Sequence, residues 1–342
     1  MDNKNVLLTG VTGFLGSHTA IALLERGYKV TGTLRNKERI GPITKIIGRH
    51  TTKVQNLELV EADLNDEFVW KELTRDKDYV QHIASPFPRK LPKNEEELIA
   101  PAKSGTLNIL HASLQNKVKR VVMTSSVAAV AYGKTKDDLK KVFNESVWTD
   151  EQNKQDSTPY YRSKTIAEKA AWQLINQTGS ELELTTVLPG AILGPVLEDD
   201  FGTSANIIIK ILDGSSPALP KIGFDIIDVR SVADLLIRAM EMPQAANQRY
   251  IASSGYLTFK DIAMILKEHY PHRKIPTSQL SNYLVRLFSN FDTSLKPILL
   301  DLGIKRNLDI TKAAKELQWH PRSAQEAVLS CAESVIKKGI VK

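Results

Sequence analysis

Three glycines in the stretch Thr9-Gly10-Val11-Thr12-Gly13-Phe14-Leu15-Gly16 fall directly between a strand-like run, Asn5-Val6-Leu7-Leu8-Thr9, and a helix-like run that extends to Arg26. No other feature restricts the fold as much. A first glycine permits a tight turn, a second lets a phosphate approach the backbone, and a third lets helix and strand pack closely. The helix start then meets the phosphate with free N–H groups and the positive end of its dipole. Gly10, Thr12, Gly13, Phe14, Leu15 and Gly16 are therefore the expected cradle for a dinucleotide pyrophosphate.

The pattern that follows supports this reading. Strand-like runs at Lys29 to Leu34, Leu57 to Val60, Tyr79 to Ile83, Arg120 to Thr124 and Leu182 to Leu188 alternate with helical spacing, clearest from Glu95 to Asn116 and from Thr158 to Gln177. Such alternation predicts an α/β protein with a Rossmann-type doubly wound parallel sheet. Right-handed crossovers then gather the carboxyl ends of the strands on one rim, where ligands bind. The rhythm changes after Pro189-Gly190. Ile192 to Gly223 is rich in Gly and Pro, Phe224 to Met240 reads as a short strand and a helix, and the chain from Leu257 is mostly helical, ending in a helix from Ser323 to Lys338. We expect a dinucleotide-binding domain over residues 1–190, with 224–252 returning to it. Residues 191–342 should form a smaller, mostly helical substrate lobe.

Composition narrows the class further. A chain of 342 residues can bury a large core, and 42% apolar with 25% charged residues is ordinary for a soluble globule. No apolar run approaches the roughly 18 residues a membrane span needs, and the first residues lack secretory or transit character. A cytoplasmic protein with no membrane partner is the expectation. One cysteine, Cys331, excludes an intrachain disulfide and a cysteine-rich metal site. The net charge is +7, but Lys and Arg are spread along the chain without aromatic interleaving. This argues against a nucleic-acid partner and suits a cofactor with several phosphates. His269 and His272 flank Tyr270-Pro271, whose proline opposes helical spacing, so no metal site is expected.

The second strand ends in Thr33-Leu34-Arg35-Asn36, where an NAD site usually carries Asp or Glu for the ribose hydroxyls. Arg35 can instead grip a 2′-phosphate in a bidentate contact, so NADP(H) is the expected cofactor. Asp63-Leu64 follows the third strand. Either it meets the adenine edge, with Asp63 accepting from the exocyclic amine, or Asp63 caps the next helix.

Tyr160 and Lys164 lie four residues apart in Pro159-Tyr160-Tyr161-Arg162-Ser163-Lys164, hence on one helix face. Tyrosine titrates near ~10 in water, too high for efficient proton exchange at neutral pH. An adjacent ammonium would favour the phenolate and lower that value. Thr124-Ser125-Ser126, at the end of the fifth strand, offers hydroxyls for a substrate oxygen.

With these pieces the chain resembles an extended short-chain dehydrogenase/reductase. More narrowly, it is similar to the dihydroflavonol reductase, cinnamoyl-CoA reductase and yeast-type carbonyl reductase group. The matching stretches include the glycine loop, His82-Ile83-Ala84-Ser85-Pro86-Phe87, Gly105-Thr106-Leu107-Asn108, Val122 to Ser126, Tyr160 to Lys164, Leu188-Pro189-Gly190, Asp228-Val229-Arg230 and Lys315 to Arg322. The resemblance implies Ser126 as the catalytic serine, with Ser125 as the fallback, Tyr160 as the acid and Lys164 as its partner. It places Ala84, Ser85 and Pro189 around the nicotinamide. Asn108 either holds a relay water or simply bonds to backbone. Phe87, Pro189, Ile192 and Ile226 are candidates for an apolar pocket wall.

The expected function is NADPH-dependent reduction of an aldehyde or ketone, by a monomer or homodimer acting on a small-molecule carbonyl. The rival enzyme is an NAD-dependent nucleotide-sugar epimerase or dehydratase. The rival from another class is a non-catalytic NADP-sensing protein, which has no need of Ser, Tyr and Lys together.

Overall fold

The computed structural model describes residues 4–85, 94–198, 201–214, 217–289 and 298–341. The first strand, β1 (Asn5–Thr9), buries both faces: Val6 and Leu8 enter one core and Leu7 another. A strand of this kind belongs inside a parallel sheet with helices on each side. The chain continues through α1 (Phe14–Glu25), β2 (Lys29–Leu34), α2 (Ile40–Gly48), β3 (Leu57–Glu61), α3 (Glu67–Leu73), β4 (Tyr79–His82), α4 (Glu96–Gln115) and β5 (Arg120–Thr124). The short α5 (Ala128–Ala131) and β6 (Val142–Phe143) precede α6 (Pro159–Thr178) and β7 (Glu183–Pro189). Next come β8 (Ala191–Leu193), α7 (Ala205–Leu212), β9 (Gly223–Asp228), α8 (Val229–Glu241) and β10 (Arg249–Ala252). The C-terminal part holds β11 (Tyr256–Thr258), α9 (Phe259–His269), α10 (Asn282–Phe288), β12 (Asn307–Leu308), α11 (Lys312–Leu317) and α12 (Ala324–Lys337).

The main sheet runs in the order β10-β7-β5-β4-β1-β2-β3, and its neighbours are parallel. The strand order reverses between β1 and β4, so the crevice for a ligand lies beyond their carboxyl ends. On one face α1 packs against α8 and α2; on the other α4 packs against α3 and α6. Arg120, at the start of β5, joins sheet and helix. Its guanidinium is buried, pairs with Glu183 at 2.6 Å and donates to the carbonyls of Ala239, Met240 and Met242 at the end of α8. A cation there satisfies carbonyls that lack intrahelical partners and opposes the helix dipole.

Sheet pairing corrects the expected return at residue 224. β9 pairs with β8 and β11 in a separate three-stranded sheet, whereas β10 extends the main sheet beside β7. The return therefore begins with α8. The lobe core gathers Ile208, Ile211, Ile226, Ile262, Leu266, Val328 and Cys331 from α7, β9, α9 and α12. Gln81, a polar residue in the middle of buried β4, donates from Nε2 to the Leu236 carbonyl at 2.9 Å, while its Oε1 has no partner among the described residues.

The third glycine carries a direct test. A Cβ at Gly16 would stand 2.0 Å from the Gly10 carbonyl oxygen, whereas one at Gly27 meets no described residue within 4 Å. Gly16→Ala is expected to cost about 1–3 kcal/mol or more in urea unfolding, because backbone must move. Gly27→Ala should cost only about 1–2 kcal/mol, from its positive φ. Equal costs would contradict the close packing of α1 on β1.

Candidate active site

The glycine loop leaves β1 through Gly10, at φ 74°, whose N–H donates to the Thr33 carbonyl at 3.1 Å. Gly13 begins α1 with no side-chain cap. The first N–H groups of the helix thus have no protein acceptor from a cap, which suits a phosphate. Among the described residues a Cβ at Gly13 would meet only the Gly10 carbonyl oxygen, at 3.4 Å, so these residues leave the outer side of the loop clear for close approach. These features fit a dinucleotide pyrophosphate.

A polar peg holds the far side of the loop. Thr9 Oγ1 accepts from the backbone N–H groups of Ile83 at 3.1 Å and Ala84 at 3.0 Å, and lies 3.0 Å from His82 Nδ1. With two donors already directed at that oxygen, its own proton points to Nδ1. His82 is then the Nε2–H tautomer facing Thr106 Oγ1 at 3.4 Å. Burial pushes the His82 imidazole down to about 3, with the Lys164 ammonium acting in the same direction. The peg sets Ala84 against Gly10, where a Cβ would come within 3.0 Å of the Ala84 Cα. Ser85 follows directly. Sequence reasoning missed the Thr9–His82 pair; the available signal was two polar residues inside otherwise apolar strands.

At the end of β2, Arg35 is exposed and has no hydrogen-bond or ion-pair partner among the described residues. Arg39, one turn on, pairs with Glu198 at 2.5 Å. Asp63 is exposed and accepts from the backbone and side-chain amide nitrogens of Asn65 at 2.8 and 3.0 Å. It does not cap α3, because Asp66 fills that role. Leu64 is half-buried, and its carbonyl accepts from Asn108 Nδ2 at 3.0 Å.

The chemical group assembles at the start of α6. Thr158 caps the helix by accepting from Tyr161 N, and Pro159 occupies its first turn. These residues fix where the helix begins and so which way Tyr160 projects. The Ser126 side chain, just beyond β5, lies beside the Tyr160 hydroxyl and favours its ionised form, and Ser126 Oγ accepts from Ala128 N at 3.1 Å. Ser125 turns away: its buried hydroxyl donates to Glu168 Oε2 at 2.6 Å. The structure therefore brings Ser126, not the fallback Ser125, to Tyr160. Lys164 is 8% exposed, and no hydrogen bond joins its Nζ to another described residue. A buried ammonium with unspent donors is costly unless a ligand accepts from it, and ribose hydroxyls fit that need.

The electrostatics correct one expectation. Lys164 does not bring the phenol below its ordinary value: burial pushes Tyr160 up to about 12, opposed by the Ser126 side chain. Burial also pulls Lys164 down to about 8, with the Glu168 carboxylate opposing. Desolvation outweighs pair attraction for both groups. The phenol thus keeps its proton at neutral pH.

The expected pocket wall is met unevenly. Phe87 lies outside the described residues. Pro189 ends β7, and its carbonyl accepts from Val127 N at 3.0 Å. Ile192 is half-buried against the main core. Ile226 is fully buried in the lobe core. Beside Tyr160, Tyr161 stacks on Tyr132 at 3.8 Å between ring centroids, and the Arg306 guanidinium covers Tyr132 at 4.1 Å. Arg306 is held by Asp156 at 2.6 Å. No helix among the described residues is long and apolar enough to cross a membrane.

Fold and site together define a dinucleotide-binding α/β oxidoreductase. The sequence pattern of the NAD dependent epimerase/dehydratase family matches residues 6–252, and the chain belongs to that family. Tetraketide alpha-pyrone reductase 1 of Arabidopsis thaliana is 35% identical over 308 residues, covering 88% of this chain and 90% of the relative. The NADPH-dependent methylglyoxal reductase Gre2 of Saccharomyces cerevisiae is 32% identical over 284 residues, covering 78% and 83%. The crystal structure of yeast methylglyoxal/isovaleraldehyde reductase Gre2 complexed with NADPH superposes with a TM-score of 0.80 at 28% identity, over 98% of this chain and 99% of that one. The chain is a nicotinamide-dinucleotide-dependent oxidoreductase of the extended short-chain dehydrogenase/reductase class.

Buried His82 makes the site a source of acid sensitivity. Its folded value, about 3, lies below the 6.5 of an unperturbed imidazole. The unfolded chain therefore binds the proton first, and stability falls as pH drops below 6.5 by up to roughly 1.4 kcal/mol per pH unit. Urea unfolding between pH 7 and 4 is expected to show a shallower loss for His82→Asn than for the wild type. Equal slopes would contradict a neutral, buried imidazole.

Proposed function

We propose that the protein is an NADP(H)-dependent carbonyl reductase acting on a small aldehyde or ketone, with Tyr160 as the proton donor. The observation that carries this reading is the Ser126 side chain beside the Tyr160 hydroxyl, next to a buried Lys164 whose donors are unspent among the described residues, all on the carboxyl rim of the sheet. When bound, NADPH supplies a hydride to the carbonyl carbon. Tyr160 gives its proton to the nascent alkoxide, and Ser126 steadies the same oxygen through its hydroxyl. The Lys164 ammonium holds the ribose hydroxyls of the nicotinamide half and offsets negative charge on the phenol after transfer.

Cofactor binding follows the loop. Gly10, Thr12, Gly13, Phe14, Leu15 and Gly16 hold the pyrophosphate. Arg35 meets the 2′-phosphate, Asp63 and Leu64 flank the adenine, and Ala84, Ser85 and Pro189 border the nicotinamide. Residues 1–190, with α8 and β10, form the cofactor domain, and the remainder of 191–342 shapes the substrate side. The exposed Arg35, with no partner among the described residues, favours NADPH over NADH and so opposes an NAD-dependent epimerase. Turnover of a panel of aldehydes, diketones and flavanone-like ketones with NADPH tests the reaction class. Consumption of none of them, despite tight NADPH binding, would favour a non-catalytic sensor.

Two variants test the roles. Tyr160→Phe is expected to bind NADPH normally and to lose roughly 10²–10⁴-fold in kcat, the usual worth of a general acid. Full activity would refute that assignment. Arg35→Gln should raise the KM for NADPH about 10- to 100-fold, the worth of a charge-assisted contact, with little change for NADH. Parallel changes with both cofactors would contradict a 2′-phosphate site.

A further inference from the structure

Two turns below Tyr160, on the helix face it shares with Lys164, the carboxylate of Glu168 is completely buried. It accepts side-chain donors from three adjacent strand positions, from Arg249 through both Nε and Nη2. Ser125, at the end of β5, donates at 2.6 Å; Thr186 of β7 donates at 2.7 Å; and Arg249 of β10 donates through Nε at 2.8 Å. Trp172 Nε1 adds a longer contact at 3.3 Å. Arg249 is itself held on its far side. It donates to the carbonyls of Glu145 and Val147, and its guanidinium lies 3.6 Å from the centroid of the Trp148 ring.

We propose that Glu168 is a positioning residue for the Tyr160–Ser126–Lys164 group: its carboxylate locks α6 in register across β5, β7 and β10. The inference rests on the catalytic reading above. Geometry makes it specific. Ser125 and Ser126 are consecutive, one bonded to Glu168 and the other beside the Tyr160 hydroxyl. Rotation or sliding of α6 that displaced Tyr160 from Ser126 would also break the Ser125–Glu168 bond. Among the described residues, the other charged or titratable groups facing this cluster include Arg249 from β10, which balances Glu168, and His82 from β4, which stays neutral near Lys164. Glu168 is the only anion acting on Lys164 among the described residues, and it opposes the desolvation that lowers the ammonium.

The test uses the intact protein, NADPH and the fastest carbonyl compound of the panel above. Glu168→Gln is expected to bind NADPH within about threefold of wild type and to lose roughly 10- to 100-fold in kcat, the scale of a small misplacement. The alkaline limb of its pH–rate profile should move to lower pH, since Lys164 loses its proton earlier without the anion. Glu168→Asp, which keeps the charge but not the reach, should restore the position of the limb while kcat stays below wild type. Ser125→Ala covers the case in which Glu168→Gln fails to fold. It removes a single bond to the carboxylate, and kcat should fall by about 5- to 20-fold with NADPH affinity retained. Wild-type kcat and an unmoved limb in Glu168→Gln would overturn the inference, as would wild-type kcat in Ser125→Ala. Tyr160→Phe, measured in parallel, separates the two failures. If it remains active, the catalytic reading is wrong. If it is inactive while the Glu168 and Ser125 variants are normal, only the positioning role falls.

Discussion

The docking of α6 across the carboxyl ends of β5 and β7 is the contact on which the rest of the site depends. It brings Tyr160 to Ser126 and buries Lys164. Arg162 Nε, on the same helix, is held by Glu95 beside the start of α4 at 3.0 Å. The helix is fixed at its start by the Thr158 cap and at its end by Gly179 in the left-handed region, φ 56°. Short-range chemistry sets the ends of the element, and buried polar contacts set where it lies.

Burial is also what tunes the chemistry. The same desolvation that raises Tyr160 lowers Lys164, so the phenol holds its proton while the amine approaches neutrality. Neighbouring charge then decides the balance. This differs from a picture in which the lysine simply acidifies the tyrosine, and it fits an acid that releases its proton only when an alkoxide forms. The loop side obeys the same logic. His82 can serve as a neutral peg between Thr9 and Thr106 because the interior refuses its charge.

Much of this was legible in the sequence because the information is local. Gly16 is forced by the Gly10 carbonyl a few residues away, and the Tyr160–Lys164 spacing reads directly as one helix face. What was illegible depends on partners distant in the chain. Glu168 meets Arg249 across 81 positions and Thr9 meets His82 across 73. Tyr132 meets Asp301 across 169. The strand at β9 was readable as a strand, but apolar alternation does not say which sheet it joins. Its place in the three-stranded sheet puts Ile226 inside the lobe core. The direction of the Tyr160 shift was equally hidden, since desolvation has no signature in residue spacing.

A crystal structure of the protein with bound NADP+ tests the central claim most directly. The account predicts the nicotinamide C4 within one small carbonyl group's reach of the Tyr160 hydroxyl, the ribose hydroxyls on Lys164 Nζ, and the 2′-phosphate against Arg35. A nicotinamide ring turned away from Tyr160 and Ser126, with the phosphate remote from Arg35, would contradict it.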